Sequence, residues 1–484
     1  MRPTRPIFVT NTLGQELQEF QPIDPPRVRL YSCGPTVYQY AHIGNFRAYI
    51  FADTLRRMLE YNGYEVAHVR NITDVGHLTN DTLSTGADKI EAMARKQNLT
   101  PRDIAEHYTS AFLADADRLN LQDPNFMPRA TEFIQPMIAL TQRLMDRGYA
   151  YQANGDVYYE VGKFPAYGAL SGNSVEDLIG GARVEVGEEK KAPADFALWR
   201  GAGPDKIMRW ESPWGEGVPG WHIECSAMSM QLLGEELDIH TGGVDNIFPH
   251  HEDEIAQSEA ATGRRFVRYW MHSAWLILSE GEKMSKSLGN IYTISELIER
   301  GFHPLGFRYF TFQAHYRRPL TFSWPALEAA QTALVRLWEG VAELVQSAEA
   351  EELTPEAAQY RRRFHQSINQ DLDLPSAIAV LHDLMSSRLP AGQKLGLIED
   401  FDTVFGLDLI PTGNRLSETS ETQRRLLNRR AEARQRKDWQ LSDRLRDELS
   451  SLGLDVKDTP HGQRWVRRDL LPSGRGQLED ATKG

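Results

Sequence analysis

The sequence predicts an α/β fold whose core is a doubly wound parallel sheet, and the clearest indication comes near the N-terminus. Residues 27–32 have the composition of a short strand. Residues 45–63 follow with apolar side chains near helical spacing and end at a glycine. Residues 65–74 form a second predicted strand. A strand, a helix and a strand in this order are typical of a parallel sheet with crossover helices.

Beyond this start the chain leaves the pattern and later returns to it. Residues 75–208 contain a predicted helix over 133–147, a strand-like GDVYYEV, and a charged stretch broken by proline. Such a mixture indicates an insertion. The sheet pattern resumes at GWHIEC and LDIHTGGVD, and both cysteines are expected at strand ends.

The C-terminal third reads as helical. Long amphipathic helices are predicted from residue 324 to about residue 405, and Pro355 and Pro375 mark two helix starts. A linker over 407–420 precedes an arginine-rich segment. The predicted segments are residues 1–120 and 209–275 for the two halves of the sheet domain, 121–208 for the insertion, 276–323 for a region with a lysine-bearing loop, 324–410 for a helical bundle, 411–470 for a small C-terminal domain, and 471–484 for a disordered tail.

Composition narrows the class of protein. The chain has 484 residues, with 41% apolar and 25% charged side chains and a net charge of −13, which is ordinary for a globular protein. We find no apolar run long enough to span a bilayer and no signal peptide, so a cytoplasmic protein with no membrane partner is expected. Two distant cysteines are not a disulfide framework.

Charge is distributed unevenly along the chain. Residues 411–484 carry 16 Lys+Arg and 12 Asp+Glu, or +4, whereas the other 410 residues carry 38 and 55, or −17. Thirteen of the 16 basic residues are arginine, whose planar fork suits phosphates and base edges. Trp439 and Trp465 could stack on unpaired bases. The alternative is a helical pair that packs on its own tryptophans.

A metal site is the sharpest prediction from single residues. Two thiols, an imidazole and a carboxylate form a plausible zinc set. His251 and Glu252 compete with the histidine and the carboxylate of the set, but helical spacing points them elsewhere. A structural zinc, or two buried free thiols, are the alternatives. The proposed ligands are Cys33, Cys225, His250 and Glu254.

Two further motifs suit nucleotide chemistry. In HIGN a helix N-terminus offers free N–H groups, Gly44 allows close approach, and His42 can donate to a phosphate; alternatively, His42 is only a cap. In KMSKS, Lys283 and Lys286 lie between glycines, as expected for a mobile cationic loop.

A third motif, HTGGVD, ends in Asp245, which could accept a hydrogen bond from a ribose hydroxyl. Its glycines, including Gly243, permit close approach of a nucleotide. A plain turn is an equal alternative.

Together these motifs resemble the cysteinyl-tRNA synthetase family of class I aminoacyl-tRNA synthetases. The resemblance runs nearly end to end, through YSCGPTVY, RNITD, SPWGEGVPGWHIECSAMS, FPHHEDEIAQSEA, GEKMSKSLGN, KDWQLSD and DTPHGQRW. The class usually has HIGH where this chain has Asn45, as members of this family often do. The resemblance implies a Rossmann-like catalytic domain, an anticodon-binding C-terminal domain, and a monomer.

The resemblance also implies ligands and roles. It implies one Zn²⁺ on the four predicted donors, Mg²⁺ with ATP, ATP held between HIGN and KMSKS, and tRNA(Cys) and L-cysteine as the other substrates. His42, Lys283 and Lys286 would be catalytic. The other implied contacts are Gly44, Asn45, Gly243, Asp245 and Lys286 for ATP, Thr73, Trp221 and His240 for cysteine, and Arg434, Trp439, Asp443 and Asp458 for tRNA.

Two alternatives compete with this function. A cysteine ligase that transfers its product to an amino-sugar resembles the same catalytic half but lacks a full anticodon-binding end, so KDWQLSD and DTPHGQRW favour the tRNA enzyme. A catalytically inactive paralogue that only binds RNA is disfavoured by the intact motifs and the four metal donors.

Overall fold

The computed structural model describes residues 6–75, 78–80, 85–173, 190–203, 206–278, 291–349, 351–459 and 462–472. They form two compact units: residues 6–277, 291–293 and 316–320 in the first, and residue 278, residues 294–315 and the chain from 321 onward in the second. The predicted disordered tail falls almost wholly outside the described residues. None of the described helices is both long and apolar enough to cross a membrane.

The first unit contains the predicted parallel sheet. Its strands are β1 Phe8–Asn11, β2 Glu16–Glu19, β3 Arg27–Ser32, β4 Glu65–Arg70, β5 Leu78–Asn80, β6 Thr85–Asp88, β7 Ala150–Ala153, β8 Asp156–Tyr159, β9 Phe196–Gly201, β10 Gly217–Pro219, β11 Leu237–Gly243 and β12 Val267–Ser273. Its helices are α1 Ile43–Tyr61, α2 Lys89–Gln97, α3 Pro101–Arg118, α4 Ile134–Asp146, α5 Trp221–Leu233 and α6 Glu252–Thr262.

The central sheet has the order β12-β11-β3-β4, and every neighbouring pair is parallel. Helix α1 crosses from β3 to β4, as the sequence predicts. A second sheet, β10-β9-β8-β7, is antiparallel and belongs to the insertion. Because β10 ends at Pro219, this sheet continues beyond the predicted end of the insertion at residue 208. Val69 of β4, Met137 of α4, Trp199 of β9 and Ile223 of α5 belong to one apolar core, which joins the insertion to the parallel sheet.

One prediction within this unit is wrong. GWHIEC is not a strand: it forms the first turns of α5, so Cys225 lies on a helix and only Cys33 follows a strand. The helix is buried on nearly all sides, from His222 to Ser229. Because polar residues such as His222, Glu224 and Ser226 are buried together with the apolar ones, the helix has no amphipathic pattern, and periodicity cannot distinguish it from a buried strand.

The second unit is mainly helical. Its helices are α7 Ile294–Glu299, α8 Pro304–Thr311, α9 Trp324–Val345, α10 Pro355–Asn369, α11 Leu374–Ser386, α12 Ala391–Phe405, α13 Leu409–Ser417, α14 Glu421–Gln435 and α15 Trp439–Ser451, and it ends in the hairpin β15 Leu454–Thr459 and β16 Gly462–Arg467. Strands β13 Leu276–Leu278 and β14 Leu320–Phe322 have residues in both units. Pro355 and Pro375 lie in the first turns of α10 and α11, as predicted.

The predicted linker is also wrong, because most of it is helix α13. Pro411 lies in the first turn of that helix, where its missing N–H has no partner to lose. Gly413 is required by packing, because a Cβ there would lie 2.4 Å from Cγ1 of Val341 on α9. Proline and glycine usually indicate a loop, but here Pro411 lies at a helix start and Gly413 lies at a close contact between two helices.

Candidate active site

A cavity opens at the carboxyl edge of the parallel sheet, where ligands bind in open α/β folds. Its volume is about 390 Å³, and its walls come from the loop after β3, the start of α1, part of α5, and the segments after β11 and β12. Ten of the residues predicted from the sequence line it: Cys33, His42, Gly44, Asn45, Thr73, Trp221, Cys225, Gly243, Asp245 and His250.

His42 is the N-terminal cap of α1. Its Nδ1 accepts a hydrogen bond from the Asn45 backbone N–H at 3.3 Å, and the Asn45 side-chain oxygen accepts one from the His42 N–H at 3.1 Å. The two residues therefore satisfy each other's backbone at a helix start. The capping role and a place at the cavity are compatible, because both residues line it. The structural task of Asn45 explains how asparagine fits the fourth position of the motif.

The four predicted metal donors converge. The Sγ atoms of Cys33 and Cys225, a ring nitrogen of His250 and a carboxylate oxygen of Glu254 all lie within 4.8 Å of one another. Ligands at about 2.0–2.3 Å from a tetrahedral zinc ion are roughly 3.3–3.8 Å apart, so the four atoms need to move inward by about 1 Å at most. The donor chemistry and the spacing both fit zinc.

His251 also faces this cluster, and the prediction that it points elsewhere is wrong. Its Nε2 lies 3.1 Å from Sγ of Cys33 and 3.9 Å from a Glu254 oxygen. Cys33, His240, His251 and Glu254 form a second donor set that also fits within 4.8 Å. The spacing from residue 251 to 254 is i, i+3, which shares a helix face as well as i, i+4 does. Glu252 does point away, toward the backbone of Ser171 at 2.8 Å.

The two thiols differ in acidity. Burial opposes ionisation of the Cys33 thiol, but the Cys225 thiol and the His250 ring lower its pKa to about 6. Burial, and then the neighbouring Cys33, raise the pKa of Cys225 well above its ordinary value. Burial raises the pKa of Glu254 to about 8, against the opposing effect of His250. The cluster thus favours one thiolate and opposes a second unless a cation is bound.

Thr73 and Trp221 form part of the cavity wall next to these donors. The Thr73 hydroxyl donates to Oε2 of Glu224 at 3.0 Å and accepts from Nδ2 of Asn71 at 3.0 Å. The Trp221 ring stacks on His250 with centroids 4.4 Å apart. Thr73 and Trp221 are thus each fixed by a buried side chain, Glu224 and His250 respectively.

His240 is placed differently from the other predicted residues. It is fully buried, does not line the cavity, and has its Nε2 3.1 Å from Oε2 of Glu254. Its ring stacks on Trp270 with centroids 4.8 Å apart. Its ring therefore lies beside the Glu254 carboxylate and not at the surface of the cavity.

Both glycines of HTGGVD lie where a side chain would meet neighbouring atoms. A Cβ at Gly242 would lie 2.8 Å from the His251 ring, and a Cβ at Gly243 would lie 2.5 Å from Oδ1 of Asp245. A side chain at residue 242 would therefore displace the His251 ring, and one at residue 243 would displace the Asp245 carboxylate from its present position.

Lys283 and Lys286 lie outside the described residues, because the segment 279–290 is not part of them. Before this segment, Leu276 still lines the cavity. After it, Tyr292 contacts the start of α1, because the N–H of Ile43 donates to the Tyr292 carbonyl at 2.8 Å.

Several side chains that support the site were missed by the sequence interpretation. Asn71 accepts from the Gly34 N–H at 2.8 Å, which fixes the loop after Cys33. His222 lies with Nδ1 3.0 Å from Nδ1 of His250, and His272 lies with Nε2 2.8 Å from Nδ1 of His251. The sequence offered one signal, the position of Asn71 in RNITD near the end of a predicted strand; in the structure that strand ends at Arg70.

The predicted tRNA-binding residues lie together in the second unit. Trp439 is 54% exposed, and the Arg434 guanidinium lies 5.4 Å from its ring centroid. Asp443 is exposed and pairs with Arg446 at 3.0 Å. An aromatic ring with a nearby guanidinium is a suitable platform for an unpaired base.

Asp458 and Trp465 are held by intramolecular contacts. Asp458 accepts two hydrogen bonds of 2.9 Å from the buried Arg430 and one of 2.8 Å from Arg434. Trp465 packs on the small core of this segment, and its indole N–H donates to the Ser417 carbonyl at 2.9 Å. The alternative of a self-packed tryptophan therefore holds for Trp465 but not for Trp439.

Comparison with known proteins covers almost the whole chain. Residues 19–332 match a family model described as the tRNA synthetases class I (C) catalytic domain, and residues 416–465 match one described as the cysteinyl-tRNA ligase anticodon binding domain. A cysteine–tRNA ligase of Chlorobaculum tepidum is 42% identical over 486 residues, which cover 96% of this chain and 99% of that protein. One of Caldicellulosiruptor saccharolyticus is 42% identical over 474 residues, covering 94% and 99%.

Solved structures agree on the fold. Methionyl-tRNA synthetase of Mycobacterium tuberculosis in complex with methionyl-adenylate is similar with a TM-score of 0.54 and 14% identity, covering 80% of this chain and 90% of that one. The LeuRS of Agrobacterium radiobacter, in its ternary complex, is similar with a TM-score of 0.57 and 11% identity, covering 81% and 86%.

Proposed function

The chain belongs to the cysteine–tRNA ligase family of class I aminoacyl-tRNA synthetases, and from this we propose that it activates L-cysteine with ATP and transfers it to tRNA(Cys), with a zinc ion that selects the thiol. One observation carries the proposal: two thiols, His250 and Glu254 converge beside a cavity whose other wall is the HIGN helix start. The monomeric state is part of the proposal.

The metal answers a specificity problem. Cysteine and serine differ by one atom, and the shape of a pocket separates such pairs poorly. When bound to Cys33, Cys225, His250 and Glu254, zinc supplies a soft Lewis acid that favours a thiolate over a neutral hydroxyl. Thr73 and Trp221 border the same part of the cavity, and His240 orients Glu254.

Adenylate formation is the first step. The cysteine carboxylate attacks the α-phosphate of ATP, the bond to the β-phosphate breaks, and pyrophosphate leaves. His42 and Lys286 stabilise the negative charge that develops on the phosphate, Lys283 supports the loop, and Mg²⁺ accompanies the phosphates. Gly44 and Gly243 allow the nucleotide to approach the backbone, Asn45 completes the helix start, and Asp245 accepts from the ribose.

Transfer is the second step. The terminal ribose hydroxyl of tRNA attacks the adenylate carbonyl, and AMP leaves. Arg434, Trp439, Asp443 and Asp458 would check the anticodon in the second unit. This division assigns chemistry to the first unit and recognition of the tRNA body to the second.

Amino-acid-dependent ATP–pyrophosphate exchange, with cysteine and serine compared, tests the proposal. Zinc-loaded protein should exchange with cysteine and very little with serine, and chelated protein should lose the exchange with cysteine. Equal exchange with both amino acids in zinc-loaded protein would contradict selection by the metal. Transfer of cysteine to an amino-sugar instead of tRNA would contradict the acceptor.

A further inference from the structure

The rim of the active-site cavity carries exposed aromatic rings that the first reaction step does not use. Four aromatic side chains are more than a third exposed among the residues that the structure describes: Tyr40 at 50%, Phe126 at 48%, Trp275 at 43% and Trp439 at 54%. Two of them, Tyr40 and Trp275, line this cavity. Since exposed large rings at the mouth of a ligand site indicate a contact surface, these two are candidates for contact with a ligand.

Tyr40 is held in a fixed position. Its hydroxyl lies 3.1 Å from Nε2 of His107, and its ring packs edge-on against Tyr108 with centroids 5.1 Å apart. Both partners lie on α3, so the ring is supported from one side and remains half-exposed on the other. A ring that is oriented without being buried is suited to stacking, because little further ordering is needed when a ligand binds.

Trp275 lines the cavity from another part of the sheet. It lies two residues after the end of β12, whereas Tyr40 lies in the loop after β3, and β11 separates the two strands. Strands are about 4.8 Å apart, so the parent strands of the two rings are separated by roughly 10 Å. The rim also has a cation, because Nζ of Lys89 lies 5.7 Å from the ring centroid of Tyr38, another lining residue.

We infer that Tyr40 and Trp275 form a stacking platform for the unpaired nucleotides at the 3′ end of tRNA, with Lys89 near the backbone phosphates. The inference rests on the proposed function, which requires a single-stranded RNA end to enter this cavity. Aromatic side chains with a neighbouring cation are the usual means of holding unpaired bases without reading their sequence. For the anticodon end of the tRNA, the proposed aromatic contact is a different residue, Trp439 in the second unit.

The test combines protein and tRNA variants. Binding of a tRNA(Cys) transcript, and of the same transcript without its last three nucleotides, is measured by fluorescence titration of the full-length protein. Stacking is worth about 1–3 kcal/mol per base, so Tyr40→Ala and Trp275→Ala should each weaken binding of the intact transcript by about 5- to 150-fold. Binding of the shortened transcript should not change, because the bases that stack are missing.

Matched variants separate stacking from other effects. Tyr40→Phe keeps the ring and loses the contact with His107, so it should bind intact tRNA nearly as well as the unmodified protein. Phe126→Ala removes an exposed ring that does not line the cavity, so it should not change the binding of either transcript. Single-turnover transfer of cysteine from the adenylate should fall in Tyr40→Ala and Trp275→Ala, while tRNA-independent pyrophosphate exchange is retained.

Two results would overturn the inference. Equal loss of affinity for intact and shortened transcripts would place the rings against another part of the tRNA. A raised KM for ATP in exchange, with tRNA binding unchanged, would assign the rings to the adenine of ATP. Absence of cysteine-dependent exchange in the unmodified protein would refute the proposed function. The binding result would still be interpretable, because tRNA binding is measured without catalysis.

Discussion

His250 and His251 lie beside the same carboxylate, yet they belong to different donor sets. The set with His250 contains both thiols, whereas the set with His251 contains only Cys33. Zinc binds two thiolates better than one, so chemistry favours His250 as the ligand. His251 is instead linked through His272 to Thr12, whose hydroxyl lies 2.8 Å from Nδ1 of His272. We interpret His251 as a side chain that packs and orients the cluster.

A pair of alanine variants distinguishes the two sets. His250→Ala should lower bound zinc below about half an equivalent, because it removes a direct ligand, whereas His251→Ala should retain close to one equivalent. Elemental analysis of protein never exposed to a chelator measures both. Cys225→Ser should behave like His250→Ala and keep its fold. The reverse pattern for the two histidines would assign the metal to the second set.

Lys286 tests the assignment of the cationic loop. If the side chain acts mainly in the transition state, Lys286→Ala should lower kcat for pyrophosphate exchange by about 10²- to 10³-fold with little change in the KM for ATP. Lys283→Ala should have a smaller effect, since loop support is its proposed role. An unchanged kcat in Lys286→Ala would exclude transition-state stabilisation.

At the scale of elements, helix α1 is hydrogen-bonded to the segment that follows β12. Arg47 is buried on α1, and its guanidinium donates to the backbone carbonyls of Trp275 and Arg318. Burial lowers its pKa to about 10. The helix that begins at HIGN and the segment just before KMSKS are therefore joined through one side chain.

Replacement of Arg47 should lower the stability of the fold. Arg47→Met leaves two carbonyls without their charged donor and should lower the free energy of unfolding by about 2–4 kcal/mol, measured by urea denaturation. Arg47→Lys keeps the charge but cannot fork to both carbonyls, so its loss should be smaller. Arg102→Met on α3 removes a highly exposed ion pair with Glu106 and should leave stability almost unchanged. Equal effects of the substitutions at 47 and 102 would argue against the role of Arg47.

The C-terminal hairpin depends on the pairing of Asp458. Arg430 has no exposed side-chain surface, and Asp458 is its bidentate partner. Hydrogen bonding from Arg430 lowers the pKa of Asp458 below its ordinary value. The stabilisation is thus complete above the pKa that Asp458 has in the unfolded chain, and it is lost as the pH falls through the lower folded value.

We expect Asp458→Asn to destabilise this segment. The cost should be about 2–4 kcal/mol, somewhat less than for a fully buried pair because Asp458 is 30% exposed. Asp443→Asn, in an exposed pair, should change stability by less than about 0.5 kcal/mol. Denaturation followed by far-UV circular dichroism measures both. If Asp458→Asn is neutral for stability but lowers tRNA affinity, Asp458 is primarily an RNA contact.

For the whole molecule, the basic C-terminal segment contrasts with an acidic remainder, which predicts a division of labour. Arg434→Ala and Asp443→Ala should each weaken tRNA(Cys) binding by about 1–3 kcal/mol if they contact anticodon bases, with pyrophosphate exchange unchanged. Binding to the unmodified protein should weaken with salt as phosphate contacts release counterions. Arg361→Ala, in an exposed pair with Asp400 on the helical bundle, is the control. Unchanged charging by the first two variants would contradict the anticodon assignment.

Local patterns in the chain were sufficient for the strand–helix–strand start, for the helix starts at Pro355 and Pro375, and for the donor types of the metal site. These features depend on residues close in sequence, or on a chemistry that few side chains possess. The carboxyl edge of the sheet could be located at Cys33 and HTGGVD, because it follows from the order of the elements, whereas the strand end expected at Cys225 was wrong.

Tertiary packing decided the rest. Helix α5 is buried on nearly all sides, so its pattern has no polar face by which to recognise it. Helix α13 resembles a linker until Gly413 is seen against Val341 of α9. His251 turns toward Cys33, which is distant in sequence. In each case the outcome depends on which atoms of remote segments occupy the neighbouring space, and the local sequence contains no record of that.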